Sequence, residues 1–315
     1  MDLSILIPVR NYDASQLVAD FLHLARHEGV EIEVLVADDD STIPLTWTKQ
    51  FTGNEQFRLI RHTKNQGRAR TINHLAEEAI APWLLIVDCD AQVTPTFSLL
   101  TYLRATTSAP SEVTFPTAPH TAVTSPSEVT FPAVCGGLRH PASLPNPDVT
   151  LRYRYERRAD RRRSAAQRNR HPYSQLSTFS LLILRSVFLA IRFDDSITEY
   201  GHEDTLFGAE LQRRHIPLLH IDNPLIHLGL EPNAVFLAKT ETSLRILHRL
   251  APQLQTHSHL LVVVRRLSRL HLATPVRLLY RLTRPLLRRN LLGRHPLLPL
   301  FSFYKLGYYL SLSLS

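Results

Sequence analysis

Short apolar runs alternate with segments of helical period over the first hundred residues. Leu3 to Val9, Glu31 to Asp38, Phe57 to Arg61 and Trp83 to Asp88 have the length and branched-aliphatic content of strands. Between them, residues 13 to 27 and 66 to 80 repeat apolar positions every three or four residues. This alternation predicts βαβ units, hence an α/β fold with a mostly parallel central sheet flanked by helices. Each predicted strand runs out into polar residues: Arg10-Asn11 after Pro8, Asp38-Asp39-Asp40-Ser41, His62 to Asn65, and Asp88-Cys89-Asp90. In an open α/β sheet, ligands bind in the crevice at the carboxyl ends of the strands, so Pro8, Arg10, Asp38 and Asp39 become candidates for substrate contact.

The pattern lapses at residues 105 to 134, which are rich in Thr, Ser and Pro and carry the heptapeptide Pro-Ser-Glu-Val-Thr-Phe-Pro twice, at 110 to 116 and 126 to 132. A tandem duplication tolerated in a surface loop explains it, since extra loop length adds little closure entropy; a flap over an acceptor is the other reading. Regular pattern resumes after Cys135-Gly136-Gly137, with a helical Arg-rich stretch at 151 to 170, a strand at 179 to 184, a helix at 203 to 214 and a strand at 216 to 221. From about 240 onward Leu and Arg recur at helical spacing, interrupted by Pro252, Pro275, Pro285, Pro296 and Pro299. Several short amphipathic helices are expected there. The organisation read from this is a catalytic domain at 1 to 240, with 105 to 134 as an inserted loop, and a basic helical C-terminal extension at 241 to 315.

Composition and charge sharpen the picture. With 44% hydrophobic and 20% charged residues the chain is globular rather than disordered, and two cysteines among 315 residues form no disulfide framework. Met1-Asp2 leads straight into strand-like sequence with no basic and apolar leader, and no run reaches the roughly 18 apolar residues of a spanning helix. A cytoplasmic protein is therefore expected. The net charge of +8 is uneven: Glu241 is the last acidic residue, so residues 242 to 315 carry +12 and the remainder −4. Such a tail, Leu-rich and basic, suits peripheral attachment to the anionic inner face of the cytoplasmic membrane, or a solvated face on packed helices. Charge of this kind also fits nucleic acid, but the arginines carry few aromatic residues and no nucleic-acid motif.

The candidate chemistry lies at the strand ends. Asp88 and Asp90, one residue apart after Leu84-Leu85-Ile86-Val87, offer hard oxygen ligands for Mg²⁺ or Mn²⁺, which would bridge the phosphates of a nucleotide; a plain polar strand end gives the same letters. Asp38 and Asp39 suit hydrogen bonds from a base or ribose, or a solvated turn. Asn65-Gln66-Gly67-Arg68-Ala69-Arg70 opens a helix whose N–H groups and guanidiniums suit a phosphate, although surface arginines on a helix would look similar. Glu203 and Asp204 start another helix, where the dipole favours acids. His227 follows a strand and could complete a metal site with the two aspartates.

In order and spacing, the strings Ile5-Leu6-Ile7-Pro8-Val9-Arg10-Asn11, Val36-Ala37-Asp38-Asp39-Asp40-Ser41, Asn65 to Asn73 and Leu85-Ile86-Val87-Asp88-Cys89-Asp90 resemble glycosyltransferase family 2. Tyr200 to Gly208, His220 to Pro224 and His227-Leu228-Gly229 resemble a bacterial branch of it. The resemblance spans roughly residues 3 to 104 and 133 to 240. It implies a GT-A fold, Rossmann-like, with a nucleotide-diphosphate sugar donor, a UDP-sugar foremost, and Mn²⁺ or Mg²⁺. It further implies that Asp39 reads the base, Asp88 and Asp90 hold the ribose and the metal-bound diphosphate, His227 binds the metal, and Asp204, with Glu203 as its rival, is the catalytic base. Asp40 departs from the family's usual Gly. The expected reaction is inverting transfer to an acceptor hydroxyl, on a saccharide or lipid-linked acceptor, in cell-surface polysaccharide or glycolipid synthesis. Retaining transfer, nucleotidyl transfer and nucleic-acid binding are the alternatives.

Overall fold

A computed structural model describes residues 1–107, 129–161, 163–196, 201–255 and 257–312. Most of the duplicated 105 to 134 loop therefore lies outside the described residues, as do Glu199 and Tyr200. The chain forms two compact units, one of Met1–Arg139, Arg163–Thr198 and Phe207–Leu228, the other of His140–Arg162, Glu199–Leu206 and Gly229–Ser315.

The first unit is built on a seven-stranded sheet. β1 (Leu3–Val9), β2 (Ile32–Asp38), β3 (Phe57–Arg61) and β4 (Trp83–Val87) alternate with α1 (Ser15–Glu28) and α2 (Arg68–Glu78), as predicted. After the two-residue β5 (Ala91–Gln92) come α3 (Leu99–Ala105), β6 (Ala133–Cys135) and β7 (Leu138–Arg139). Then follow α4 (Thr150–Asp160), α5 (Ala165–Arg168), β8 (Ser180–Leu184), α6 (Arg185–Ile191), α7 (Glu203–Arg213), β9 (Leu218–His220) and β10 (Leu225–His227). The sheet order is β3-β2-β1-β4-β8-β6-β9. β1 to β4 are mutually parallel, and β8 runs antiparallel to both β4 and β6.

Strand alternation splits the core across the two faces of the sheet. Leu3, Ile5 and Ile7 pack with Leu17 and Phe21 of α1, whereas Leu6, Leu35 and Ile86 pack with Ile72 and Leu75 of α2. Both faces are covered, and for that reason these strands read as nearly continuous apolar runs. A second, three-stranded sheet, β5-β10-β7, starts immediately beyond the end of β4.

The expected single helical stretch at 151 to 170 is two helices. Ser164 forms a capping box with Gln167, which starts α5 afresh.

In the second unit, α4 joins α8 (Asn233–Arg249), α9 (His259–Arg269), α10 (Ala273–Leu292) and α11 (Leu298–Leu312). Leu151, Leu237, Tyr280, Leu287, Leu291, Phe301 and Tyr304 form its core. The buried Asn233 side chain accepts from Leu151 N at 2.7 Å and donates to Gly293 O at 3.0 Å, tying three helices together. Three of the five prolines expected to break the tail stand within helices. Pro275 lies in the first turn of α10, where its missing N–H has no intrahelical acceptor to lose, and Pro285 is carried inside the same helix. Pro299, likewise, stands in the first turn of α11. Leu278, Leu279, Leu282 and Leu286 of α10 remain exposed beside its arginines. Among the described residues no helix is long and apolar enough to cross a membrane.

Candidate active site

β4 ends at Val87, and the chain turns through Asp88-Cys89-Asp90, with Ala91 N donating to Asp88 O at 3.1 Å. β5 then pairs antiparallel with β10, placing His227 opposite Ala91, while Leu228 N donates to Asp90 O at 2.9 Å. This pairing, between residues 137 positions apart, brings His227 Nε2 to 3.1 Å from Asp90 Oδ2. The Phe179 ring stands edge-on to the imidazole, 5.1 Å between centroids, and limits its rotation.

Asp88 faces another partner. Arg68 Nε and Nη2 both donate to its Oδ1, at 2.8 and 2.6 Å, and Nη2 also reaches Thr178 Oγ1 at 3.0 Å. Of the three residues anticipated as metal ligands, the fold thus pairs Asp90 with His227 and gives Asp88 to a guanidinium. Among the described residues no group of three His, Cys, Asp or Glu side chains is gathered as a metal-holding cluster. The Asp90–His227 pair nevertheless suits a divalent cation. Two adjacent ligands about 2.1 Å from an octahedral ion lie about 3 Å apart, and a carboxylate oxygen with an imidazole nitrogen is a donor set for Mn²⁺. Burial pushes the Cys89 thiol well above its usual range, with the charges of Asp90 and Asp88 adding to the effect.

Asp38 and Asp39 both work on the neighbouring loops. Asp38 Oδ1 accepts from Ser41 N at 2.9 Å. The buried Asp39 accepts from Gln66 N at 2.8 Å and Gly67 N at 2.9 Å, and its Oδ1 is 3.1 Å from His62 Nδ1. His62 Nε2 lies in turn 2.9 Å from His74 Nδ1. Asp39 therefore fixes the turn into α2, which sets the position of Arg68. Asn65 helps, its Oδ1 accepting from Gly67 N at 3.0 Å, and Gly67 takes φ +84°, a conformation that favours glycine. Asp40 has φ +57°, which accounts for a Gly being usual there and for Asp, which tolerates the left-handed region, replacing it. Asn11, also left-handed at φ +52°, accepts from Ile43 N at 3.1 Å and locks the turn after β1 to that after β2. Pro8 is half-buried and Arg10 is exposed on this same strand end.

Tyr12, Thr178, Phe179 and His62 were not singled out from sequence. Burial, and then the charges of Asp90 and Cys89, push the Tyr12 phenol above its usual range. Only Asn11-Tyr12, directly after the first strand, carried any hint of this; Thr178 and Phe179 come from the turn before β8, far away in sequence.

In the second unit, Gly201 at φ +121° and His202 at φ +71° precede α7. Leu206 N donates to His202 O at 2.9 Å, and Gly201 N donates to Glu203 Oε2 at 3.1 Å. Glu203 therefore folds back to hold the turn at the start of the helix. Asp204 is one position further, about 100° round the axis. His202 Nε2 is 3.1 Å from Ser243 Oγ, and burial lowers the imidazole pKa more than the Asp204 charge raises it.

Residues 4–119 match glycosyl transferase family 2, and no curated protein matches the chain. Among solved structures, the chain is similar to S. aureus TarS 1-349 in complex with UDP-GlcNAc, with TM-score 0.52, 15% identity, and coverage of 81% of this chain and 67% of that one. A longer TarS structure gives TM-score 0.51 and 14% identity over 80% of this chain, which spans only 44% of that one. The mannosyltransferase PcManGT from Pyrobaculum calidifontis, in complex with GDP-Man and Mn²⁺, gives TM-score 0.54 at 13% identity, covering 98% of this chain and 84% of that one. At such identities the likeness establishes the fold. Taken together, residues 4–119 match glycosyl transferase family 2, and the sheet and its helices have the GT-A fold of the glycosyltransferases that the chain resembles.

Proposed function

We propose that the protein transfers a sugar from a nucleotide-diphosphate sugar to an acceptor hydroxyl, with inversion at the anomeric carbon. The observation that carries this reading is the Asp90–His227 pair at 3.1 Å, formed at a strand end in the family-matched fold. In it, Asp90 and His227 hold Mn²⁺ or Mg²⁺, and the bound ion supplies charge neutralisation for the leaving diphosphate. Arg68, oriented by Asp88 and Thr178, lies at the N-terminus of α2, where the backbone N–H groups and the guanidinium together suit phosphate oxygens. Asp38, Asp39, Asn65 and Gly67 shape the nucleotide-facing turns, with Pro8 and Arg10 on the neighbouring strand end. Asp204 takes the proton of the attacking hydroxyl, and Glu203 keeps the turn before it in place.

The acceptor in this reading is a saccharide or lipid-linked molecule of a cell-surface polysaccharide or glycolipid. The exposed leucines and the arginines of α10 support peripheral attachment to the anionic inner face of the cytoplasmic membrane. The test is turnover of UDP- and GDP-sugars by the full chain with Mn²⁺, Mg²⁺ or a chelator, followed by analysis of the products. Metal-dependent release of nucleoside diphosphate with an inverted glycoside is the expected result. Release of pyrophosphate, or a retained anomer, would overturn the mechanism.

A further inference from the structure

A cavity of about 710 Å³ opens in the second unit between the end of α4 and the segment entering α11. None of its residues has a role in the transfer reaction proposed above. Arg154, Arg157, Arg158 and Arg161 line it. Their spacing, i, i+3, i+4 and i+7, puts all four on one face of α4 and its continuation. Pro296, Leu297, Leu298 and Pro299 also line it and make an apolar wall.

Two of the arginines have structural work. Arg154 donates to Pro296 O at 3.2 Å, and Arg157 reaches Asp160 at 3.4 Å. Asp160 is already engaged by His140, which donates from its backbone N at 3.1 Å and lies 3.0 Å away through Nδ1. Burial raises the Asp160 pKa, and these contacts more than offset it, so the carboxyl stays below its usual range. Arg158 and Arg161 differ: both are exposed, and neither side chain makes a hydrogen bond or ion pair with the described residues. Neither Asp160 nor Glu156, the acids of α4, lines the cavity. Like charges three and four residues apart destabilise a helix, and the basic end of α4 needs only one or two cations to complement its dipole.

Four guanidiniums facing an apolar wall, in a volume ordinary for a small-molecule site, define the chemistry of a ligand: a phosphate group carried on an apolar body. We infer that this groove binds the phosphate headgroup of an amphiphilic lipid, with Arg158 and Arg161 on the phosphate oxygens and the apolar part of the lipid against Leu297 and Leu298. This does not depend on the transfer reaction, because it concerns binding alone.

Calorimetric titration of the full chain at physiological salt tests it, using water-soluble dihexanoyl phosphatidic acid below its micellar concentration. The lipid should bind, inorganic pyrophosphate should bind more weakly, and R158A/R161A should weaken lipid binding by about tenfold or more, the loss expected for hydrogen bonds to a charged group. R158K/R161K, which keeps the charge and loses the planar fork, should fall between. R61A/R170A, two exposed arginines of the first unit, removes equal charge elsewhere and should bind like the parent. Unchanged binding by R158A/R161A, with its thermal unfolding unaltered, would overturn the site, as would an equal loss in R61A/R170A, which would mean diffuse charge. Pyrophosphate binding as tightly as the lipid would overturn the apolar half of the assignment. A single-stranded oligonucleotide that displaces the lipid at lower concentration would overturn the lipid in favour of nucleic acid.

Discussion

Adjacent acids can hold different roles when a helix separates their directions. Glu203 accepts from Gly201 N at 3.1 Å, whereas Asp204 points about 100° away. Replacing Asp204 by Asn should leave metal-dependent nucleotide binding intact and lower transfer by about 10² or more, the scale of a lost general base. Asp90→Ala should act differently, abolishing the metal dependence of donor binding in a fluorescence or calorimetric titration. If Asp204→Asn transfers at the parent rate while Glu203→Gln is inactive, the two roles are exchanged. The individual acids were legible in the chain. The contact between Asp88 and Arg68 was not, since it depends on which side of a three-residue turn each carboxylate leaves.

At the level of elements, the loop that carries the duplication is closed at its base. Thr106 O accepts from both Thr130 N at 2.9 Å and Phe131 N at 3.0 Å, so the base of the excursion is closed by backbone bonds. Replacing residues 108–128 with a Gly-Ser pair should leave nucleotide affinity unchanged. Loss of that affinity with native circular dichroism would assign the segment to the donor site. Packing within the second unit is tight where α10 meets α11: a Cβ on Gly307 would come within 2.3 Å of the Tyr280 ring. Gly307→Ala should therefore destabilise that unit by about 1–3 kcal/mol, the usual cost of overpacking, in denaturant unfolding. An unchanged midpoint would show that the ring can yield.

On the scale of the whole molecule, charge and apolar exposure coincide. Leu282 is 80% and Leu286 68% exposed on a helix that also carries Arg281, Arg284, Arg288 and Arg289. Liposome flotation should recover the full chain with vesicles containing anionic lipid and not with neutral ones. Leu282→Asp with Leu286→Asp should abolish recovery without altering thermal unfolding, because both side chains are outside the core. A parent chain that stays unbound at low salt with anionic vesicles would remove the membrane reading.

Period and spacing in the sequence determined the β1 to β4 alternation, the α/β class, the positions of the polar strand ends and the basic character of the tail, because each follows from local pattern and needs no partner. The same reasoning overstated the prolines: Pro275 and Pro285 stay inside α10, since a first-turn proline loses no bond and tertiary contacts of Tyr280 and Leu287 outweigh the interior defect. Tertiary structure alone decided the rest. Antiparallel pairing of β5 with β10 brings together Asp90 and His227, and the core that Leu151 shares with Phe301 and Tyr304 gathers α4 into the same unit as the tail helices. These are long-range pairings, chosen by burial and register across more than a hundred residues, and no local period records them.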